Sequence, residues 1–367
     1  MIGAFGTGGK ERQLAELISG LDQNKFELHI LLKSDNTYYL SKIQDHLTSV
    51  HILECDHFNF STFLLIKKII NDLKPDIVHS WSDVTSLFGV VLKFFQSNRF
   101  KLIDGSIRAA ESKPCLFCMN RLIRFILNLL CNMIISNSKA GLTSYKVPKN
   151  KGRVIYNGFN FERSTNLIPE NEMRISFGLK DEFIVGMVAR FDPQKNWQKF
   201  FQIAQQMISL HDNVTFLCVG GGPDLEYFKN ELKSFGNKIV FTGKRSDIES
   251  IINIVSVGVL LSNNKIHGEG ISNAILEFMA LGKPVIANES GGNAEIINNS
   301  SVGRIIISDS NDEYIKILEE YMVNKEYLIQ SGQSAKERIR TAFSFQSMID
   351  QYSNVYLELC SIRTNHE

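Results

Sequence analysis

The sequence predicts an α/β protein with two Rossmann-like domains, each built on a parallel β-sheet with helices on both faces. Short apolar runs alternate with helical patterns along the whole chain, and this alternation is typical of parallel sheets. The chain has 367 residues, more than one hydrophobic core normally supports. A polar stretch without strand periodicity, at 159–174, separates two series of strands and predicts a linker.

Eleven short apolar runs are predicted to be strands. In the first half they lie at 28–33, 77–80, 101–104, 133–136 and 153–156. In the second half they lie at 184–188, 215–219, 239–241, 257–261, 285–287 and 304–307. We expect a first domain at 1–160, a second at 161–344, and a final segment at 345–367 whose helix crosses back to the first domain.

The beginning of the chain is unusual for this class of fold. Residues 1–5 barely complete a strand before a glycine-rich turn at 6–9. Either the first strand is clipped to three or four residues or the true start lies upstream. The turn opens a helix predicted at 10–21, and glycine lets a phosphate approach the backbone closely. Glycine-rich turns after strands are common, so this turn alone does not predict a site.

Composition excludes several classes of protein. No run approaches the ~20 apolar residues that cross a bilayer, and no signal peptide precedes the first helix, so we expect a cytoplasmic protein. The six cysteines are scattered, which fits reduced thiols. Cys115 and Cys118 have the spacing of zinc ligands, but no second Cys or His pair follows at zinc-site distance, so we expect no metal site.

The formal net charge of +1 conceals a basic segment at 93–153, which has twelve basic residues and two acidic ones. Its apolar side chains at helical spacing are Leu122, Phe125, Ile126, Leu129, Leu130 and Met133. The opposite face carries Arg121, Arg124, Asn128 and Asn132. A basic amphipathic helix is typical of docking on an anionic membrane surface, which we expect here. The alternative is a helix that buries its apolar face in the domain. No nucleic-acid motif is present.

Two glutamates, Glu269 and Glu277, mark the strongest candidate site. Ser272 predicts an N-cap, followed by a helix at 273–281. At about 1.5 Å rise per residue the carboxylates lie up to about 12 Å apart, with the amides of a helix N-terminus between them. This layout suits a nucleotide-sugar: one carboxylate for the ribose, the amides for the diphosphate, the other carboxylate for the hexose. A solvated helix with a charge at each end is the alternative.

Other candidate residues follow predicted strands. Arg190 and Lys195, in one loop, can neutralise a diphosphate leaving group without a metal, although surface charge is the alternative. His79 ends a strand at the sheet edge where open α/β folds bind ligands. A structural histidine is equally consistent with that position.

Together, these segments and others resemble the family 4 retaining glycosyltransferases. The N-terminal matches are Gly8-Gly9-Lys10-Glu11-Arg12, Asp76-Ile77-Val78-His79, Ser136-Asn137-Ser138-Lys139 and Val154-Ile155-Tyr156-Asn157-Gly158. The C-terminal matches are Ala189-Arg190-Phe191-Asp192-Pro193-Gln194-Lys195-Asn196, Val219-Gly220-Gly221-Gly222-Pro223, Phe241-Thr242-Gly243, Gly268-Glu269-Gly270-Ile271-Ser272-Asn273-Ala274-Ile275-Leu276-Glu277, Leu281-Gly282-Lys283-Pro284-Val285 and Ser290-Gly291-Gly292-Asn293-Ala294-Glu295. Each segment alone is weak evidence, but their order and spacing are specific. The resemblance implies the GT-B fold, in which two Rossmann-like domains face each other across a cleft.

The resemblance also implies roles for particular residues. It assigns catalysis to Arg190, Lys195, Glu269 and His79. It assigns binding of the sugar donor to Gly8, Gly9, Gly243, Lys244, Arg245, Gly270, Ile271, Ser272, Asn273 and Glu277. Arg108 and Lys139 are candidates for acceptor binding. Relatives often carry a second histidine where this chain has Trp81, which puts the acceptor geometry in doubt. No Asp-x-Asp motif is present, which agrees with a metal-independent mechanism without a cofactor.

We therefore expect a retaining transfer from a nucleoside-diphosphate sugar, UDP in preference to GDP, to a lipid-linked or surface-polysaccharide acceptor. The enzyme is expected to be cytoplasmic and peripheral on the inner face of the cell membrane. A nucleotide-sugar epimerase of the same fold and a non-catalytic GT-B partner protein are the alternatives. The sequence identifies neither the sugar nor its linkage.

Overall fold

The structure is a computed structural model that describes residues 1–35, 37–55, 59–95, 100–110 and 119–361. The chain divides into two compact units, which we call the N-unit (Met1–Gly158 with Phe345–Glu367) and the C-unit (Phe159–Ser344). Cys115 and Cys118 lie outside the described ranges, as do residues 96–99 and 111–118 of the basic segment.

Short parallel strands alternate with helices along the N-unit. Its helices are α1 (Gly9–Gly20), α2 (Leu40–Ile43), α3 (Phe60–Leu73), α4 (Asp83–Phe95), α5 (Met119–Leu130) and α6 (Lys139–Ser144). Its strands are β1 (His29–Leu32), β2 (Ser49–Ile52), β3 (Ile77–Ser80), β4 (Lys101–Ile107), β5 (Ala109–Ala110), β6 (Met133–Ser136) and β7 (Gly152–Val154). One parallel sheet has the order β3-β4-β6-β7, and β1 pairs with β2 in a second.

The first residues of the chain lie between these two sheets. Ile2 forms a parallel bridge to Leu32, and its N–H donates to Leu31 O over 3.1 Å. On the other side, the Met1 amino group donates to His79 O over 2.7 Å, and Trp81 N–H donates to Met1 O over 2.9 Å. The predicted first strand is thus reduced to one bridged residue that contacts both β1 and the end of β3.

The C-unit contains one six-stranded parallel sheet. Its helices are α7 (Glu170–Ser176), α8 (Trp197–Leu210), α9 (Leu225–Glu231), α10 (Ile248–Asn253), α11 (Asn273–Ala280), α12 (Asn293–Ile296), α13 (Asn311–Val323) and α14 (Lys325–Ala342). Its strands are β8 (Phe183–Val188), β9 (Val214–Val219), β10 (Ile239–Gly243), β11 (Val257–Leu260), β12 (Gly268–Glu269), β13 (Val285–Asn288) and β14 (Gly303–Ile306). The sheet order is β10-β9-β8-β11-β13-β14, the doubly wound order of a Rossmann fold.

The stretch predicted to be a linker has structure of its own. Phe161–Ser164 forms a 3₁₀ turn capped by Asn160, whose side chain accepts from Glu162 N–H, and α7 begins at Glu170. Phe159 N–H donates to Phe343 O over 2.9 Å, which joins the first and last residues of the C-unit.

The last helix, α15 (Phe345–Ser361), belongs to the N-unit, where it packs on α1. Its buried residues recur at helical spacing and include Met348, Tyr352, Val355 and Leu359. Gly20 at the end of α1 provides the close approach, because a Cβ there would lie 2.5 Å from the side chain of Ile349.

Helix α5 divides its apolar side chains between the core of the N-unit and the surface. Ile123, Ile126, Leu127 and Leu130 of this helix pack in the core. Its apolar side chains Leu122, Phe125 and Leu129 are exposed, Phe125 by 65%. Arg124 is instead buried and forms ion pairs with Asp104 and Asp83. The prediction that Arg124 lies on an outer basic face is therefore wrong. The buried carboxylate of Asp104 requires the Arg124 cation beside it in the interior of the N-unit. Met133, predicted to share the apolar face, lies in β6 and is buried.

Candidate active site

Five loops leave the carboxyl ends of neighbouring strands in the C-unit sheet. They begin at 189, 220, 244, 261 and 289, after β8, β9, β10, β11 and β13. The strand order reverses between β8 and β11, and open α/β sheets bind ligands outside the carboxyl ends of the strands at such a point. The C-unit residues predicted for the site lie on these loops or in α11.

The loop after β8 carries Arg190 and Lys195. The side chain of Arg190 is 71% exposed, and its Nε lies 3.5 Å from Asp192 Oδ2. Its backbone is anchored, because Trp197 Nε1 donates to Arg190 O over 2.9 Å and the Trp197 ring stacks on Phe191 with 3.8 Å between centroids. A fixed backbone with a solvent-facing guanidinium leaves Arg190 positioned to bind an anion.

Two glycines of the loop after β9 pack against the backbone of the loop that carries Arg190. Gly220 and Gly222 have φ of +147° and +156°, a backbone conformation that favours glycine. A Cβ at Gly220 would lie 2.0 Å from Ala189 O, and one at Gly222 would lie 2.2 Å from Phe191 O. These glycines therefore serve close packing against the Arg190 loop.

Glu269 is the buried centre of the site. Lys195 Nζ forms an ion pair with its carboxylate, and Ser262 Oγ donates to the same oxygen. His267 Nε2 lies 3.7 Å from the other oxygen. Burial alone would raise the pKa of Glu269, but the charge of Lys195 and hydrogen bonds from His267, Lys195 and Ser262 hold that pKa well below its usual range. Glu269 is therefore a carboxylate at neutral pH.

The backbone of Glu269 is held as firmly as its side chain. Its N–H donates to Ser290 Oγ over 3.2 Å, and its carbonyl accepts from Gly292 N–H over 3.0 Å. Gly291 has φ of +47°, and a Cβ there would lie 1.9 Å from Glu269 O. The loop after β13 thus needs glycine to contact Glu269.

Helix α11 begins where the sequence predicts, at Asn273. Ser272 has the extended backbone of an N-cap, but its side chain makes no capping hydrogen bond. The preceding residues Gly270 and Ile271 are buried. The predicted N-cap position is confirmed, whereas its hydroxyl does not satisfy an amide of the first turn.

Glu277, one turn inside α11, belongs to a second network. Arg163 Nη2 lies 3.1 Å from Glu277 Oε1 and also forms an ion pair with Glu249. The Arg163 guanidinium lies over the Phe159 ring, 5.0 Å from its centroid. Both carboxylates therefore share one cation, and the Glu277 side chain is only 3% exposed.

Gly243 is the last residue of β10, and Lys244 and Arg245 follow it. Gly243 has φ of +70°, and its carbonyl accepts from Gly220 N–H over 3.0 Å. Arg245 forms a bidentate pair with Asp247, at 2.8 and 2.6 Å, and the hydrogen bond from Arg245 lowers the pKa of Asp247. Lys244 is exposed.

The N-unit candidates cluster around His79, whose Nδ1 lies 2.8 Å from Tyr356 Oη. Burial, and then the positive charges of the Met1 amino group and Arg108, lower the pKa of His79 well below its usual value. Arg108 stacks on the buried Trp81 ring at 3.9 Å, and its Nη2 donates to Tyr352 Oη over 3.2 Å. Trp81 therefore supports the Arg108 guanidinium through a cation–π contact.

The remaining N-unit candidates lie at helix starts. Gly8 is the N-cap residue of α1 and Gly9 its first residue, and both are exposed. Lys139 begins α6 and is exposed, while Ser138 caps that helix by accepting from Gly141 N–H over 3.0 Å.

Four members of these networks were not predicted from the sequence: Arg163, Glu249, Ser262 and His267. His267 could have been considered from its position two residues before Glu269. Arg163 lies 86 and 114 residues from its partners Glu249 and Glu277, whereas Ser262 lies seven residues before Glu269 without a local pattern that marks it. Among the described residues, no group of three or more His, Cys, Asp or Glu side chains could hold a metal ion, and no helix is long and apolar enough to cross a membrane.

Comparison with known proteins identifies relatives of the chain. The sequence profile described as Glycosyl transferases group 1 matches residues 169–338. The capsular polysaccharide biosynthesis glycosyltransferase CapM of Staphylococcus aureus is 23% identical over 358 residues, 92% of each chain. An α-1,4-N-acetyl-D-galactosaminyltransferase of Campylobacter jejuni, whose name specifies a GalNAc-GalNAc-diNAcBac-PP-undecaprenol, is 20% identical over 93% of this chain and 92% of that protein. A glycosyltransferase of Methanocaldococcus jannaschii, MJ1069, is 26% identical, but the match spans about half of its length (52%).

A solved structure has the same fold. Anabaena Alr3699/HepE, crystallised in complex with UDP, superposes with a TM-score of 0.82 at 18% identity, over 97% of this chain and 98% of that one. The doubly wound sheet, the ordered motifs and these matches lead to one assignment. Residues 169–338 match the group 1 glycosyltransferases, and the whole chain is similar to glycosyltransferases in sequence and shares the GT-B fold.

Proposed function

We propose that this glycosyltransferase moves a sugar from a nucleoside-diphosphate sugar to an alcohol of a lipid-linked or surface-polysaccharide acceptor, with retention of anomeric configuration. One observation carries the proposal. Two buried carboxylates, Glu269 and Glu277, lie at either side of the start of α11, and each is paired with a cation. A hexose and a ribose both present hydroxyl donors, which ionised carboxylates bind strongly.

The cations of the β8 loop fit the diphosphate. Arg190 is anchored through its backbone and open to solvent, while Lys195 is placed by Glu269. Positively charged groups fixed in place before the reaction stabilise the charge that develops on a leaving group. We assign Arg190 and Lys195 to the departing diphosphate. We assign Glu269 to the transferred sugar, where its carboxylate accepts hydrogen bonds from the sugar hydroxyls.

Glu277 is assigned to the ribose, and the loop 243–245 to the base. We propose UDP in preference to GDP, which is supported by the complexes of HepE with UDP and with UDP-glucose. The bond from the anomeric carbon to the diphosphate breaks, and the acceptor oxygen forms a new bond on the same face. The acceptor proton passes to the departing phosphate oxygen, so the reaction requires neither a metal nor a separate base.

His79 and Arg108 are assigned to the acceptor side, together with Lys139. The lowered pKa of His79 keeps its ring neutral, so it acts as a hydrogen-bonding group and not as a cation. A lipid-linked acceptor is supported by the printed name of the Campylobacter relative and by the capsular role of CapM.

We further propose that the N-unit docks on the inner face of an anionic membrane. The structure changes the contact that we expect. The exposed side chains of α5 include the apolar Met119, Leu122, Phe125 and Leu129, and Phe94 and Phe95 at the end of α4 are also exposed. Lysines surround the C-terminal end of α5, where Lys93 and Lys151 donate to its last carbonyls. Apolar residues would enter the interface and lysines would face the headgroups.

The purified enzyme is tested with UDP- and GDP-sugars as donors and undecaprenyl-linked glycans as acceptors. It should release a nucleoside diphosphate and form an α-linked product from an α-linked donor. NMR of the anomeric proton measures the configuration of the product. Lys195→Ala should reduce the rate by about 10²–10³-fold, whereas Lys229→Ala, in an exposed pair with Glu226, should not. Full activity should persist with excess chelator. Release of an epimerised sugar without transfer, or restoration by divalent metal of activity lost to chelator, would contradict the proposal.

A sedimentation assay with anionic vesicles tests the membrane contact. Leu122→Ser combined with Phe125→Ser should release the protein, while Ile175→Ser combined with Val323→Ser, which removes exposed apolar side chains of the C-unit, should not. If the wild-type protein ignores such vesicles at low salt, the membrane proposal is wrong.

A further inference from the structure

Asn288, the last residue of β13, holds the loop that follows β11 through its side chain. In the ladder between these two strands, Leu260 and Ala287 form the pair nearest to the carboxyl ends. Beyond that pair, Ser262 N–H donates to Asn288 Oδ1 over 2.9 Å, and Asn288 Nδ2 donates to Ser262 O over 2.8 Å. A side-chain amide, which has one acceptor and one donor group, thus extends the ladder by one step.

The two hydrogen bonds are made where water has little access. Ser262 is only 1% exposed. A buried backbone N–H or C=O without a partner costs stability, so the loop depends on the Asn288 amide to satisfy both groups. Removal of that amide should therefore shift Ser262 from its place or leave its backbone groups unsatisfied.

The opposite edge of the same loop contacts the loop after β8. Ser262 forms an antiparallel bridge with Lys195. Backbone hydrogen bonds of 3.0 and 2.8 Å, one on each side of this bridge, join residues 194–196 to residues 261–263. Because the two segments are joined in this way, a displacement of Ser262 also displaces the backbone of Lys195.

Asn288 lies where the two supports of Glu269 meet. Its side chain fixes Ser262, whose hydroxyl donates to the Glu269 carboxylate. Its backbone continues into the loop whose residues Ser290 and Gly292 bind the Glu269 N–H and carbonyl. The position of Asn288 therefore influences both the main chain and the carboxylate of Glu269.

We propose that Asn288 is a positioning residue for the transfer reaction. It fixes Ser262, and through Ser262 it sets the placement of Lys195 relative to Glu269, without itself contacting the substrate. A displacement of about 1 Å in a catalytic group can cost about 10²-fold in rate, so a residue of this kind can matter as much as one that contacts the substrate. The inference rests on the roles proposed above for Lys195 and Glu269.

The first test compares Asn288→Leu, which removes both hydrogen bonds, with Asn264→Leu. Asn264 is an exposed residue whose Nδ2 donates to Glu289 O over 2.6 Å, between the same two loops. Asn288→Leu should lower kcat by about tenfold or more and change the KM of the donor by less than about threefold, because the misplaced groups act in the transition state. The control should leave both constants within about twofold of wild type. An unchanged kcat in Asn288→Leu would overturn the proposal.

Asn288→Asp provides a rescue that depends on pH. An ionised carboxylate accepts from Ser262 N–H but repels Ser262 O, whereas a protonated carboxyl group accepts and donates as the amide does. The neighbouring carbonyl and partial burial raise the pKa of the introduced carboxyl group. The kcat of Asn288→Asp, divided by that of wild type, should therefore rise as the pH falls from about 8 to about 5, while the same ratio for Asn288→Leu should not. A ratio for Asn288→Asp that does not change with pH would refute the hydrogen-bonding role.

A double-mutant cycle tests whether Asn288 acts through Ser262. Ser262→Ala removes the hydroxyl that contacts Glu269 and keeps the backbone. The loss of kcat in the double variant Asn288→Leu with Ser262→Ala should be smaller than the product of the two single losses, because both changes weaken the same contact. Losses that multiply fully would show that Asn288 does not act through Ser262, and would overturn the proposal.

Hydrogen exchange separates this inference from the proposed function. The Ser262 amide should exchange with deuterium at least about tenfold faster in Asn288→Leu than in wild type, and at the wild-type rate in Asn264→Leu. This measurement requires no substrate. If the wild-type protein transfers no sugar, the proposed function is wrong, and exchange alone decides whether Asn288 holds Ser262. Equal exchange of the Ser262 amide in wild type and Asn288→Leu would refute that contact.

Discussion

Replacing Lys195 by Met should destabilise the C-unit strongly, because it removes the cation paired with a buried carboxylate. Glu269 would keep the Ser262 hydrogen bond and the His267 ring at 3.7 Å but would lose the lysine that is paired with it. The side chains of Lys195 and Glu269 are only 17% and 8% exposed, so solvent screens the lost charge little. Breaking such a pair typically lowers the free energy of unfolding by about 3–5 kcal/mol.

The loss should depend on pH with a definite sign. In the wild type the pKa of Glu269 lies below its usual value of 4.5, so its contribution to stability is present above that value and is lost as the pH falls further. Without Lys195, burial becomes the dominant influence and raises the pKa, so the variant gains relative stability as Glu269 takes up a proton. The difference in unfolding free energy between the two proteins should therefore shrink between pH 7 and about pH 4.

Urea unfolding followed by tryptophan fluorescence measures this difference. In a Trp81→Phe background the remaining tryptophan, Trp197, lies in the C-unit beside the Arg190 loop and reports on that unit. Adding Glu269→Gln to Lys195→Met should recover part of the stability, because no buried charge is then left unpaired. A Lys195→Met protein as stable as wild type at pH 7, or a loss that does not change with pH, would refute the reasoning.

Three other outcomes are expected. Arg163→Met should weaken the affinity for the free nucleotide, measured by calorimetry, by at least about tenfold, because the Arg163 cation orients Glu277. Arg163→Lys should keep part of that affinity, and an unchanged affinity in Arg163→Met would exclude this role. Arg124→Met should lower the unfolding free energy of the N-unit by about 3–5 kcal/mol in urea, because it removes the cation paired with the buried Asp104, and a neutral effect would show that this pair does not stabilise the unit. Gly291→Ala should lower Tm by several degrees through a strained φ, whereas Gly3→Ala, with open space around it, should not.

Most strands could be predicted within one or two residues because they are buried apolar runs bounded by turns. The predicted strand at 133–136 corresponds to β6, and that at 184–188 to β8. β2 was missed because it is short and alternates between partly buried and exposed residues. Periodicity alone could not predict which face of α5 is buried. That face is determined by the ion pair between Arg124 and Asp104, which are 20 residues apart in sequence.

The candidate site was predictable where its residues are close in sequence. Glu269, Glu277 and Lys195 lie in short segments whose order is specific to the family. Arg163 lies 114 residues from Glu277, and its turn reads as a polar linker, so only the folded chain brings them together. Ser262 lies only seven residues before Glu269, but a serine after a strand does not by itself predict a hydrogen bond to that carboxylate.

If Glu277 binds the ribose as proposed, the Arg163 cation that it shares with Glu249 would also affect which nucleotides the site can accept. The two carboxylates place negative charge in a region of low solvent access. Ribose hydroxyls can donate to that charge, whereas a phosphate on the 2′ or 3′ position would bring like charges together in a poorly screened environment. The enzyme would in this way discriminate between nucleotides at the ribose, independently of which base or sugar the donor carries.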